Sequence, residues 1–301
     1  MNIHQFGEVD GNPVFEVAIG SAGGAKAKVI TWGAVLRDLV VPSPSGPRRV
    51  VLGFDAMAHY LAHSPYFGAN VGRFANRISR GHFVLDGADH MLELNEGRNT
   101  LHGGPAGFGR KLWKFAGNDA SSVTLTLHSP DGDGGYPGNL DAICVYRLLE
   151  PATLRIELGA VCDAPTIVNL AHHSYFNLDG SPDVRDHELT LLAAYYTPVD
   201  GERIPTGEIL SVAGTPYDFR APRPIGRESG YDTNFVLSRW PDGEDDLAQA
   251  AKVRSPAGDL AMDMYTTEPG VQFYDGAGIN CPVPGLGGAH YGPHAGLCLE
   301  A

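Results

Sequence analysis

Four clusters of polar residues carry side chains that could do chemistry. Residues 72–77 include arginine and amide donors that suit sugar hydroxyls. His102 precedes Gly103 and Gly104, and glycines let a backbone approach a ligand closely. A third cluster contains His172 and His173, and a fourth ends in Glu300. Imidazole titrates near neutral pH and a carboxylate can accept a hydroxyl proton, so a histidine and a glutamate facing one cleft are typical of acid–base catalysis.

Each cluster also has a purely structural interpretation. Arg73 and Arg77 could form surface ion pairs, His102 could sit in a turn, and the two adjacent histidines could be a hydrogen-bonded core pair. If residues 72–77 form a regular strand, alternation places Arg73 and Arg77 on one face and Asn76 on the other. Taken together, the four clusters favour a functional site.

Other motifs argue against metal, phosphate and serine chemistry. His59 and His63 have the spacing of paired zinc ligands, but Tyr60 stands where a metalloprotease has its glutamate. The four cysteines are too widely spaced for a Cys-x-x-Cys site, and we interpret them as reduced and structural. The glycine-rich segments lack the lysine of a phosphate loop, and the sequence contains no Gly-x-Ser-x-Gly elbow. The sequence therefore predicts no metal and no cofactor.

Composition restricts the partners. The 301 residues include 35 acidic and 22 basic side chains, for a formal net charge of −13. This balance argues against nucleic acid or an anionic membrane as a partner, because either would need a basic face. No apolar run is long enough to cross a bilayer, and the first residues do not have the pattern of an export signal. We predict a cytoplasmic protein.

The elements that must position these clusters are mostly strands. Apolar residues alternate with polar ones at Val123, Leu125 and Leu127, and the same pattern recurs over residues 154–158. Residues 253–264 predict a hairpin. Asp55 is a candidate cap for a short helix over residues 56–61, and residues 244–251 predict another helical turn or two. With 39 glycines and 22 prolines, turns must be frequent. The pattern predicts an all-β protein: one large antiparallel β-sandwich domain over residues 1–301.

Seven motifs in order, from about Trp32 to the last residue, resemble the aldose 1-epimerase (galactose mutarotase) family. They are Gly72-Arg73-Phe74-Ala75-Asn76-Arg77-Ile78, Leu101-His102-Gly103-Gly104, Gly135-Tyr136-Pro137-Gly138, His172-His173-Ser174-Tyr175-Phe176-Asn177-Leu178, Asp232-Thr233-Asn234-Phe235, Pro269-Gly270-Val271-Gln272-Phe273-Tyr274 and Leu297-Cys298-Leu299-Glu300. The resemblance implies a supersandwich fold. Family members usually continue beyond the glutamate motif, so this chain is expected to lack the usual C-terminal extension.

The resemblance also implies a reaction and roles for eight residues. The family interconverts the α and β anomers of a free aldose of the galactose or glucose class by opening and reclosing the ring, without cofactor or metal. His173 would be the general acid that protonates the ring oxygen, and Glu300 the base that deprotonates the hydroxyl on carbon 1. His172 would support its loop. The residues expected to bind the sugar are Arg73, Asn76, His102, Asp232 and Gln272.

Three alternatives remain open from the sequence. The chain could be a sugar-binding module of the same fold that does not turn over its ligand. It could cleave glycosidic bonds with Asp232 and Glu300 as paired carboxylates. It could also act on a hexose 6-phosphate, although we identify no dedicated phosphate site. The sequence predicts neither the preferred aldose nor the number of subunits.

Overall fold

Alternating apolar residues form antiparallel strands throughout the computed structural model, which describes residues 3–227, 230–239 and 246–301. In chain order the elements are β1 (Ile3–Val9), β2 (Asn12–Gly20), β3 (Lys26–Ile30), β4 (Val35–Val41), β5 (Arg48–Arg49), α1 (Met57–His63), β6 (Ala69–Val71), β7 (Arg77–Ile78), β8 (His82–Leu85), β9 (Ala88–Met91), β10 (Thr100–Leu101), β11 (Lys114–Asn118), β12 (Ser122–Ser129), β13 (Leu140–Leu149), β14 (Thr153–Cys162), β15 (Ala171–His173), β16 (Tyr175–Phe176), β17 (Glu188–Leu191), β18 (Ala193–Thr197), β19 (Leu210–Ser211), β20 (Arg223–Pro224), β21 (Asp232–Leu237), β22 (Ala248–Arg254), β23 (Ala261–Thr266), β24 (Gly270–Tyr274) and β25 (Leu297–Glu300). Short 3₁₀ turns cover Ser79–Gly81, Phe108–Arg110, Asp133–Gly135 and Leu286–Gly288.

The chain folds into two compact units. The first comprises residues 1–42 and 53–173, and the second comprises residues 43–52 and 174–301. The mainly antiparallel β architecture confirms the predicted all-β sandwich class. The prediction of one domain over residues 1–301 stays a prediction.

In the first unit, two antiparallel sheets bury their apolar faces. One sheet has the strand order β1-β2-β3-β4 and the other β11-β12-β13-β14, with β2 packed against β12 and β13. The predicted row of Val123, Leu125 and Leu127 on β12 is buried. The predicted apolar row on β14 is only half-buried, because β14 has a single neighbour, β13, in the part of the chain that the structure describes.

The second unit contains a six-stranded sheet with the order β16-β25-β24-β21-β18-β19 and a four-stranded sheet with the order β20-β17-β22-β23. The predicted hairpin over residues 253–264 is confirmed, since Val253 on β22 pairs with Met262 on β23. The helical turn predicted over residues 244–251 is wrong from residue 248 onward, where β22 begins, and residues 244–245 lie outside the described residues. Pairing with β17 and β23 overrides the helix propensity of these alanines.

The predicted short helix exists as α1 and ends before Pro65. Asp55 is not its cap: Ala56 occupies that position without a side-chain hydrogen bond. The Asp55 carboxylate instead accepts a hydrogen bond from Arg37 Nη1 at 3.3 Å. Asp55 therefore bonds to a charged side chain on β4 and does not cap the helix.

The four cysteines are free thiols, and Cys144 and Cys298 are buried. Among the described residues, we find no helix with both the length and the apolar character needed to cross a membrane.

Candidate active site

Two buried imidazoles contact each other in the first unit. His173 is the last residue of β15, where it pairs with Ala69 on β6. His102 follows β10, and its ring centroid lies 5.2 Å from that of His173 at an interplanar angle of 81°. His102 is only 7% exposed and His173 only 4%. Long-range pairing thus brings together histidines that are 71 positions apart in the sequence.

The tautomer of His102 is set by a backbone bond. The backbone N–H of Asn76 donates to His102 Nδ1 at 3.1 Å, and the backbone N–H of His102 donates to the Asn76 carbonyl at 3.0 Å. Because Nδ1 accepts, the neutral ring carries its hydrogen on Nε2. His102 therefore offers an N–H donor of the kind that binds a sugar hydroxyl.

The first glycine after His102 lies against the backbone of a neighbouring chain segment. Gly103 has φ +85°, and a Cβ atom there would lie 1.8 Å from the Gly72 carbonyl oxygen. This glycine therefore makes room for the neighbouring chain segment. This close approach fixes the loop that carries His102 against residues 72–73. A close approach of this loop to a ligand stays a prediction.

Asn76 and Arg77 lie side by side, so the prediction that they face opposite ways is wrong. Asn76 has φ +63°, which breaks the regular alternation of a strand. Its Oδ1 accepts the Arg77 N–H at 2.9 Å and lies 3.5 Å from Arg77 Nη1. The Arg77 guanidinium also donates to both carboxylate oxygens of Glu96, at 2.6 and 2.9 Å. Arg77 thus lies in the polar cluster around Asn76, although the sequence analysis did not count it among the sugar-binding residues.

Tyr66 is a second residue that sequence reasoning missed. Its ring stacks on His173 with centroids 5.8 Å apart and meets the His102 ring edge-on at 4.8 Å. Its place in a turn after Pro65 gave no signal of this, because the contact depends on how β6, β10 and β15 come together.

Burial keeps the histidines of this cluster uncharged at neutral pH. Loss of solvent lowers the pKa of His173 to about 4. The same effect, reinforced by the nearby His173 and Arg77, holds the pKa of His102 well below its ordinary value. The pKa of His172 is lowered to about 3, mainly by burial. All three rings are therefore neutral at pH 7 in the sugar-free protein.

His172 points into a separate polar network. Its Nδ1 lies 3.0 Å from Asn70 Oδ1 and 3.3 Å from Tyr146 Oη. Asn70 Nδ2 donates to Tyr146 Oη at 2.7 Å, and Tyr146 in turn donates to the Ala34 carbonyl at 2.6 Å. Contacts of this kind hold β15 in place, in line with the supporting role expected for His172.

Arg73 is buried and bonded to protein atoms. Its Nη1 donates to the carbonyls of Pro137 and Gly138, at 2.9 and 2.8 Å. Its Nη2 donates to Ser129 Oγ at 2.7 Å and to the Ser129 and Pro130 carbonyls. The guanidinium therefore ties its own loop to residues 129–138. Direct contact with a sugar stays a prediction for Arg73.

In the second unit, three predicted residues form one polar row across adjacent strands. Glu300 on β25 pairs directly with Gln272 on β24, so their side chains share a face of the sheet. Gln272 Nε2 donates to Asp232 Oδ1 on β21 at 2.7 Å. Arg203 Nη1 lies 3.3 Å from the other carboxylate oxygen of Asp232. The carboxylates of Asp232 and Glu300 can accept hydroxyl protons, and the Gln272 amide orients the Asp232 carboxylate.

Strand β25 is held on both sides, which fixes the position of Glu300. Cys298 pairs with Tyr175 on β16 and with Tyr274 on β24. Glu300 itself is 8% exposed. A carboxylate on a doubly paired strand is well placed to act as a base of fixed orientation.

The structure therefore brings together Asn76, His102 and His173 in the first unit, and Asp232, Gln272 and Glu300 in the second. The first group supplies N–H donors on neutral imidazoles. The second supplies carboxylates and an amide. Each group contains side chains that can exchange protons with oxygen atoms.

Comparison with known proteins gives a consistent result. Residues 16–301 match the sequence model of a family described as aldose 1-epimerase. A galactose mutarotase from Bos taurus is 42% identical over 286 residues, which cover 91% of this chain and 81% of the relative. An aldose 1-epimerase from Escherichia coli (strain K12) is 37% identical over 304 residues, covering 97% of this chain and 87% of the relative. The crystal structure of an aldose epimerase homologue from C. elegans superposes with a TM-score of 0.88 at 29% identity, covering 95% of this chain and 88% of that one.

Proposed function

Since the chain belongs to the aldose 1-epimerase family, and is therefore an enzyme that interconverts the α and β anomers of a sugar, we propose that it acts on free aldoses of the galactose and glucose class with His173 as acid and Glu300 as base. The substrate class follows the name galactose mutarotase carried by the relative from Bos taurus. The observation that carries the proposal is the family match over residues 16–301, the range in which both residues lie.

The proposed reaction moves two protons between different oxygens. Glu300 takes the proton of the hydroxyl on carbon 1 while His173 gives one to the ring oxygen. The bond between carbon 1 and the ring oxygen breaks, leaving an aldehyde that rotates about its bond to carbon 2. Closure on the other face reverses both transfers, so each residue returns to its starting state.

The remaining residues are proposed to hold the sugar. His102 offers its Nε2–H, because its Nδ1 is occupied by the Asn76 backbone. Asp232 accepts hydroxyl protons in an orientation set by Gln272, and Asn76 supplies an amide beside Arg77. Arg73 fixes the loop that leads to Asn76 through its hydrogen bonds to residues 129–138.

We further propose that the enzyme works in the cytoplasm, on a small-molecule aldose and not on nucleic acid. The four cysteines are free thiols, including the exposed Cys162, which suits a reducing compartment. The net charge of −13 disfavours a polyanionic partner.

Polarimetry on freshly dissolved sugars tests the proposed substrate class. We expect the protein to accelerate the change in optical rotation of α-D-galactose and α-D-glucose, with saturation at high sugar concentration. Galactose 6-phosphate is the control substrate, because the site residues described above include no cluster of cations for a phosphate. Faster exchange of the phosphorylated sugar than of either free sugar would contradict the proposal.

Sugar binding is expected to take up protons. His173 must be charged to give a proton away, but burial lowers its pKa to about 4 in the free protein. If the bound state carries the imidazolium, binding adds up to about one proton per site near pH 7, and affinity rises as the pH falls toward the free-state pKa of about 4. Titration calorimetry in two buffers with different ionisation enthalpies measures this uptake. His173→Gln should bind sugar without it, and an uptake of zero in the wild type would exclude an imidazolium in the sugar complex.

A further inference from the structure

Tyr66 occupies a strained position beside both imidazoles. Its φ of +68° lies in the left-handed region, which bulky side chains rarely adopt. Strain of this kind persists only where surrounding structure enforces it, and it concentrates at functional sites. The strained backbone therefore indicates a functional role for the ring.

The turn that carries Tyr66 is bonded to the backbone of His173. The Gly68 N–H donates to the His173 carbonyl at 3.0 Å, and the Ala69 N–H donates to the Tyr66 carbonyl at 3.0 Å. Ser64 Oγ accepts the Phe67 N–H at 2.9 Å and closes the start of the turn. The left-handed conformation thus places the ring next to a strand to which its own turn is joined.

The ring itself contacts both histidines from different directions. It stacks on His173 at an interplanar angle of 29° and meets His102 at 66°. The exposed guanidinium of Arg110 lies 5.6 Å from the Tyr66 ring centroid, a distance typical of a cation–π contact. A flat ring held in this way restricts rotation of the His173 imidazole about its side-chain bonds.

We propose that Tyr66 is a positioning residue whose aromatic ring fixes the orientation of the His173 imidazole relative to His102. The inference rests on the proposed function, because it assigns the ring to the acid of that reaction. The hydroxyl group is not needed for this role. The ring keeps the donor nitrogen aimed at one point, and small misplacements of a catalytic group reduce rates steeply.

The test uses variants that distinguish the effect of the ring from the effects of the hydroxyl group and of the backbone conformation. Tyr66→Phe keeps the ring, Tyr66→Leu keeps much of the volume, and Tyr66→Asn suits the left-handed backbone without a ring. We expect Tyr66→Phe to retain kcat within about threefold, and the other two to lose about 10- to 100-fold in kcat with little change in KM. Tyr265→Asn, at a half-exposed tyrosine on β23, is the control and should match the wild type.

Each other outcome overturns the inference. An equal loss in Tyr66→Phe would assign the effect to the hydroxyl, and a higher KM at unchanged kcat would make the ring a substrate contact. Wild-type kcat in Tyr66→Leu or Tyr66→Asn would show that the ring is dispensable. If one of these two variants does not fold, the kcat of the other shows whether the ring is needed.

A parallel measurement separates this inference from the proposed function. His173→Gln is assayed in the same series. If it retains activity, His173 is not the acid and the proposed function fails with the inference. If it loses activity while Tyr66→Asn keeps wild-type kcat, only the inference fails. In NMR spectra, the His173 ring signals should shift in Tyr66→Asn and stay near their wild-type positions in Tyr66→Phe, because only Asn removes the stacked ring.

Discussion

Glu300→Gln is expected to lower kcat for anomer exchange by about 10²- to 10⁴-fold, the range typical of a positioned acid or base. Glutamine keeps the length and planar end group of glutamate, so the pairing of β25 with β24 should persist. It cannot accept the proton of the carbon 1 hydroxyl at neutral pH. Binding of the sugar should change far less than the rate, because hydrogen bonding through the amide remains. Polarimetry for kcat and calorimetry for affinity provide the two measurements.

Glu208→Gln is the matched control for this prediction. Glu208 is exposed, and its carboxylate accepts a hydrogen bond from the neighbouring Thr206 side chain at 3.2 Å. The same chemical change there should leave kcat and thermal stability near the wild-type values. Wild-type exchange by Glu300→Gln would show that another group is the base.

His173→Gln is the second variant with a large expected effect, again a loss of about 10²- to 10⁴-fold in kcat. Glutamine can still donate a hydrogen bond toward the ring oxygen, but an amide cannot deliver a proton and recover it within the cycle. The residue is buried and paired with Ala69, so the backbone of β15 should remain in place. Circular dichroism and thermal unfolding establish that the variant is folded before its rate is compared.

The neighbouring histidine provides an internal control. His172→Gln makes the same substitution one position earlier on β15, where the side chain bonds to Asn70 and Tyr146. We expect this variant to lose about 1 kcal/mol of stability, as is usual for one hydrogen bond, and to retain most of its activity. If His172→Gln lost more activity than His173→Gln, the two roles would be reversed.

Strand patterns in the sequence predicted the architecture well where a strand lies inside a sheet. The row of Val123, Leu125 and Leu127 is buried as expected, and the predicted hairpin at 253–264 forms. The pattern was less informative at the edge strand β14, whose apolar row is only half-buried. Alternation records which residues share a face, but how deeply that face is covered depends on what packs against it.

Predictions from local sequence patterns were wrong at two places. The alternation assumed for residues 72–77 separated Asn76 from Arg77, whereas the left-handed φ of Asn76 places their side chains together. Alanine-rich residues near 248–251 favoured a helix, yet they form β22 because strands on both sides pair with it. In both cases a tertiary contact outweighs a local preference.

By itself, the sequence determined the strand class, the ordered motifs and the residue types able to exchange protons, because period-two alternation and motif spacing are properties of short segments. Only the tertiary structure decided which of those residues meet. The row of Glu300, Gln272 and Asp232 depends on strands that are 28 and 40 residues apart. The burial that keeps His173 neutral, and the strained turn that places Tyr66 on it, depend on segments about 100 residues apart. Such contacts are set by long-range strand pairing, which no local pattern encodes.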